Sequence, residues 1–132
     1  MTYLLDTNTC IFIMKKTPGV VERFQSAQDE GIAISSITLA ELEFGVSKSK
    51  AQQRNRNALF AFSMIVDVLM FDIPASAVYG RVRAGLEKAG TPIGALDTLI
   101  AAHAKSLNLT LVTNNIREFR RVEGLSIVDW SS

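Results

Sequence analysis

ALDTLIAAHAKSLNLTLVT, residues 95–113, decides the fold class. Residues 95–107 read as a helix, and Leu109-Thr110-Leu111-Val112-Thr113 is the clearest strand pattern in the chain. A helix that hands directly on to a short apolar strand is half of a βαβ unit, and the same alternation extends in both directions. Toward the C-terminus, the polar turn Asn114-Asn115 leads to a helical piece at 117–122 and a last strand within 125–128. Toward the N-terminus, Gly90-Thr91-Pro92-Ile93-Gly94 is a loop, and Gly90 stops a helix spanning 76–89. Before it, residues 66–73 suggest a strand closed by Pro74. A long helix with Leu59, Phe60, Phe62 and Ile65 on its apolar face emerges from the basic stretch 47–57. Residues 37–46 predict a helix capped by Ser35 or Ser36, after a strand at 32–35. Pro18 marks the start of a short helix carrying Val20, Val21 and Phe24. Tyr3-Leu4-Leu5 is a buried strand, and a helix at 7–16 capped by Thr or Asn follows. Strands alternating with helices predict an α/β fold with a parallel sheet covered on both faces.

Composition narrows the chemistry. The 132 residues suit one domain, 1–132, with no repeat and no linker. Lys and Arg number 14 against 13 Asp and Glu, a net charge of +1, so bulk positive charge does not grip nucleic acid and any basic surface is local. Hydrophobic residues at 48% and charged residues at 20% mark a globular chain, not a disordered one. A single Cys10 and a single His103 exclude an internal disulfide and the usual soft metal sites, so any bound metal must be held by carboxylates. Cys10 reads as a small buried side chain and His103 as a packing or surface residue. The N-terminus carries an acid where a signal peptide needs basic and then apolar residues, and no apolar run spans a bilayer, so a cytoplasmic location is expected.

Ligands of open α/β sheets sit beyond the carboxyl ends of the strands. Asp6 follows the first strand, Glu41 lies one turn into the helix after the second, and Asp97 opens the helix behind the 90–94 loop. Thr113, Asn114 and Asn115 follow the late strand, with Glu118 close behind. Acids gathered at one edge repel one another unless a cation sits among them. Hard Mg²⁺ or Mn²⁺ takes carboxylate oxygens and water, and supports phosphodiester hydrolysis. Each acid also has an ordinary reading. Asp6 is placed to cap a helix, Asp97 suits a helix dipole, and Glu118 beside Arg117 suits a surface ion pair. Glu41 and Glu43 point to opposite sides of one helix, and periodicity does not choose between them. The basic groups Lys48–Arg56 and Arg81, Arg83 and Lys88 read as solvated faces that also offer phosphate-positioning charge. The 90–94 loop lacks the lysine of a nucleotide-binding loop.

Four segments carry a resemblance over essentially the whole chain: Leu5-Asp6-Thr7-Asn8, Thr38-Leu39-Ala40-Glu41-Leu42, the run from Pro92 to Ala104, and Val112 to Phe119. In order and spacing they resemble the motifs of PIN-domain ribonucleases, and in length the VapC toxins of bacterial VapBC toxin–antitoxin pairs. The resemblance implies a three-layer α/β/α PIN-like fold and Mg²⁺-dependent RNA cleavage, with Mn²⁺ as substitute. It implies Asp6, Glu41, Asp97 and Glu118 as catalytic acids, with Asp6 and Asp97 as metal ligands. Asn8, Thr113 and Asn115 support them, and Arg81, Arg83 and Arg117 are candidates to contact RNA. Many PIN domains carry Asp where this chain has Asn115, which leaves Glu118 as the fourth acid and weakens any second metal. It further implies a homodimer, neutralisation by a VapB-type antitoxin with an arginine aimed at the acids, and a tRNA substrate, initiator tRNA in its anticodon stem-loop. Three readings compete: a PIN nuclease acting on mRNA or rRNA, a non-catalytic α/β module binding a cation or phosphoryl group at Asp6, and an Asp-nucleophile phosphatase. The phosphatase is disfavoured because Asn8 stands where its second Asp belongs.

Overall fold

The computed structural model describes residues 1–131. Five short strands form one wholly parallel sheet: β1 Tyr3–Leu5, β2 Ile32–Ser35, β3 Asp67–Leu69, β4 Thr110–Val112 and β5 Ile127–Val128, in the order β3-β2-β1-β4-β5. The helices are α1 Thr7–Met14, α2 Val20–Ser26, α3 Ser36–Lys48, α4 Gln52–Ser63, α5 Ile73–Lys88, α6 Ala95–Ser106 and α7 Ile116–Phe119.

Alternation along the strands builds a core on each face. Successive side chains of a strand point to opposite sides. Leu5, Ile34 and Val112 therefore pack with Cys10, Phe24, Leu42 and Phe62 beneath α1–α4, whereas Leu4, Ala33 and Leu111 pack with Leu86, Ile100 and Phe119 beneath α5–α7. These two helical layers and the sheet make the α/β/α sandwich expected from the alternation. Leu4 and Leu5 are both fully buried, and burial of a leucine contributes about 1.5–3 kcal/mol.

β1 is the central strand, and the chain leaves it first toward β2 and β3, then returns to β4 and β5 on its other side. Loops after β1 and β4 thus diverge and open a crevice at their carboxyl ends, the place where such sheets hold ligands. Asp6 and Thr113 are the first residues past those two strands.

Several local expectations are corrected. Of the two caps that the sequence offered for α1, it is Asp6 and not a Thr or Asn that serves, accepting the Thr9 N–H at 2.9 Å. Ser35 rather than Ser36 caps α3. The strand expected at 66–73 is only Asp67–Leu69, because Asp72 caps α5 and Pro74 sits in that helix's first turn, where its missing N–H costs nothing. On α4, Leu59 and Phe62 reach the core, but Phe60 is 66% exposed, and Ile65, which lies past the end of that helix, is 53% exposed. The last helix is Ile116–Phe119, shorter than 117–122 and one residue earlier. Among the described residues, no helix is long and apolar enough to cross a membrane.

Candidate active site

Asp6 is 4% exposed at the junction of β1 and α1. Its backbone N–H donates to Val112 O at 3.0 Å, which ties the junction to β4. Its carboxylate accepts the Thr9 N–H and the Thr113 hydroxyl. Burial raises the Asp6 pKa above the ordinary carboxylate value, and these hydrogen bonds oppose the rise. Thr113, fully buried, also accepts the Asn115 N–H at 2.9 Å. One hydroxyl therefore links the loop after β4 to the acid after β1.

Glu41 lies in the second turn of α3 and is half-buried. Its Oε1 accepts the Thr7 hydroxyl at 2.6 Å. Glu43, two residues on, is turned away and pairs with Arg56 of α4 on the surface. Asp97 occupies the first turn of α6, and Glu118 sits in α7, both half-buried. Burial, followed by the charges of Asp6, Glu41 and Glu118, pushes the Asp97 carboxyl up to about 6. Asp97 thus lies within the electrostatic reach of the other three acids. The two ion pairs found among the described residues, Arg56–Glu43 and Arg83–Glu87, involve none of them.

The remaining candidates separate. Asn8 is exposed and makes no side-chain hydrogen bond, while Asn115 contributes its backbone N–H rather than its amide. Arg81 and Arg83 both lie on α5 but line different cavities. Arg83 donates to Glu87 at 2.8 Å and to the Tyr79 hydroxyl at 3.0 Å. Arg117 is exposed, and it forms no ion pair with Glu118.

His103 is buried, with Nδ1 2.8 Å from Ser35 Oγ and its ring edge-on to Phe71 at 5.3 Å. Burial lowers its pKa, so the ring is held neutral. Ser35 Oγ also accepts the Ile37 N–H at 3.0 Å, so one hydroxyl joins the His103 ring to the first turn of α3. His103 thereby steadies the cap of the helix that carries Glu41.

Sequence reasoning missed two residues. Thr7 holds Glu41, and nothing local distinguished it from Asn8 as the helper. Asp129, directly after β5, adds its charge to Asp6. Its position after a strand, the feature that singled out Asp6, was the available signal.

The donor set suits a hard divalent cation: carboxylate oxygens that raise one another's proton affinity, none of them held in an ion pair among the described residues. Among the described residues, no three His, Cys, Asp or Glu side chains stand close enough together to hold a metal ion between them. Mg²⁺ does not require three, because it takes one or two carboxylates and keeps several waters.

Comparison with known proteins places the chain in a family. A profile of the PIN domain matches residues 3–125. The sequence is 46% identical over 132 residues, 99% of each chain, to a Shigella flexneri protein named tRNA(fMet)-specific endonuclease VapC. It is 43% identical, over 98% of each chain, to ribonuclease VapC2 of Rickettsia felis. Its fold matches that of VapBC2 from Rickettsia felis bound to a promoter DNA fragment, with a TM-score of 0.95 at 41% identity, covering 98% of this chain and 99% of that one. DNA-bound VapBC from Salmonella typhimurium matches with a TM-score of 0.94 at 45% identity, over 98% of each chain.

Proposed function

The chain belongs to the PIN-domain family and, within it, to the VapC ribonucleases, and from that premise we propose a Mg²⁺-dependent endoribonuclease toxin that cuts tRNA in the cytoplasm. Mn²⁺ is the expected substitute. The observation that carries the reading is the raised Asp97 carboxyl, at about 6 under the combined charge of Asp6, Glu41 and Glu118. A fold that keeps four acids in mutual repulsion is built for a cation.

Asp6 and Asp97 would hold the ion. When bound, it supplies charge neutralisation at the phosphodiester and acidifies a water. The chain's own residues do the rest. Thr9 and Thr113 fix the Asp6 carboxylate before any ligand arrives, so its orientation costs nothing at binding. Glu41 has Oε1 occupied by Thr7 and Oε2 free to accept a proton from the attacking water. Glu118 orients that water from the α7 side. The water oxygen bonds to phosphorus, one P–O ester bond breaks, and the departing oxygen takes up a proton.

Two relatives, at 46% and 43% identity, are named tRNA(fMet)-specific endonucleases, which supports initiator tRNA as the substrate. A single-stranded loop suits a site that must reach a phosphate between splayed bases. The VapBC complexes among the structural neighbours support a VapB-type antitoxin as partner. A cationic antitoxin side chain aimed at the four acids would replace the metal's charge. A homodimer is expected.

The test is cleavage of a labelled tRNA pool by antitoxin-free protein with Mg²⁺ or Mn²⁺, beside EDTA and an Asp6→Asn variant. One discrete metal-dependent cut, absent in the variant, is the expected result. Cleavage of mRNA or rRNA but no tRNA would overturn the substrate, and cleavage that survives Asp6→Asn would overturn the site.

A further inference from the structure

Outside the acid site, a groove of about 530 Å³ lies between α5, the last turn of α6 and the residues after α7. Arg81, Lys105 and Arg121 line it, against Glu123 as its one acid. We propose that this groove binds the phosphate backbone of the RNA beyond the scissile bond, a role that rests on the ribonuclease reading above.

Three observations converge. First, the cations are not spent on carboxylates. Lys105 Nζ donates to the Glu123 carbonyl at 2.7 Å and Arg121 Nη1 to the Pro92 carbonyl at 3.1 Å, so neutral acceptors hold both in place and leave their charge uncompensated. Arg81 is exposed and makes no ion pair among the described residues, unlike Arg83 two residues away, which Glu87 and Tyr79 restrain.

Second, α6 and the turn that follows α7 connect the groove to the acids. α6 bears Asp97 in its first turn and Lys105 in its last, eight residues or about 12 Å apart along the axis. Glu118 of α7 precedes Arg121 by three residues, less than one turn. A strand whose phosphate meets the acids therefore has a cationic track within reach.

Third, the charge logic requires a second site. Four acids repel a polyanion until a cation joins them, so the attraction that brings RNA to this chain must come from elsewhere on its surface. Two of the three cations are arginines, whose forked donors match phosphate oxygens in pairs. Such contacts position the backbone without reading sequence.

The experiment is binding of fluorescein-labelled tRNA in EDTA, followed by anisotropy across a salt series, with wild-type protein and an R81Q/K105Q/R121Q variant. Loss of three phosphate contacts should flatten the log–log salt dependence by about 2 and weaken binding roughly 100-fold at 0.1 M salt. With metal present, the loss should appear in KM rather than kcat. Arg81→Gln alone breaks no hydrogen bond of the fold, so it separates contact loss from misfolding. It should weaken binding roughly fivefold, with Arg81→Lys restoring most of the affinity. Equal affinity and equal salt slope in folded wild-type and variant proteins would overturn the groove while leaving the nuclease intact. Wild-type protein that neither binds nor cuts RNA would overturn both.

Discussion

The acid edge and the outer helical surface treat the same residue types in opposite ways. On the surface, Glu43 meets Arg56 and Glu87 meets Arg83, each acid matched by a cation on a neighbouring turn or helix. At the edge, the charges of Asp6, Glu41 and Glu118 act on Asp97, and the hydrogen bonds to Asp6 and Glu41 come from neutral donors: Thr7, Thr9 and Thr113. Glu41 and Glu43 make the contrast within one helix. Balanced charge is structural here, and unbalanced charge marks the place kept for a ligand.

Removing charge at the edge should have the largest effect. Asp6→Asn keeps a side chain that caps α1 but loses the carboxylate, so it should fold and leave RNA uncut, measured by cleavage beside a circular dichroism melt. A folded Asp6→Asn protein of normal activity would erase the distinction between the two regions.

Asp97→Asn should abolish cleavage as well, yet make the protein more stable near neutral pH. The sign follows from the pKa. Asp97 titrates at about 6 in the fold against 3.8 ordinarily, so the native state holds its proton more tightly. The stability that this proton contributes is complete below about pH 3.8 and is lost as pH rises through about 6. Melts in EDTA should therefore show the variant's advantage growing between pH 4 and 7 and closing at pH 4 and below. Mg²⁺ should raise the melting temperature of the wild type more than that of the variant. A variant less stable than wild type at pH 7 would contradict the repulsion.

Thr7→Val tests the neutral support. A hydrogen bond to a charged group contributes about 1.5–3 kcal/mol, so loss of this one should slow cleavage about ten- to hundredfold if all of it orients Glu41. Thr7→Ser should retain most of the activity. Undiminished cleavage in Thr7→Val would show that Glu41 needs no such restraint.

Glu43→Gln gives the smallest effect. Its partner is solvent-exposed, so stability should change by less than about 1 kcal/mol and cleavage by less than about twofold. A large loss of activity would place Glu43, not Glu41, at the reacting centre.

Much of this was legible in the chain itself. Short apolar runs at Tyr3–Leu5, Ile32–Ser35 and Thr110–Val112, each followed by a helical pattern, determined a parallel sheet with both faces covered. The acids stood out because three of them follow strands or open the next helix. Asp129 obeys the same rule, but the weak strand before it, only Ile127–Val128, drew less notice than the residues after β1 and β4. Ile73 read as strand because it is apolar, although it is 85% exposed and helical, governed by the Asp72 cap.

What the sequence by itself determined was local: which segments are strands, which are helices, and which polar residues end them. Spacing of about 100° per residue puts Glu41 and Glu43 on different sides of α3 but does not say which side faces the crevice. Tertiary structure decided that, because the answer depends on Thr7 of α1 and Arg56 of α4, distant in sequence and brought into contact by packing. It likewise fixed Arg83 to Glu87 and Tyr79 while leaving Arg81 to share a groove with Lys105 and Arg121. Charge is written in the chain, but its compensation belongs to the fold.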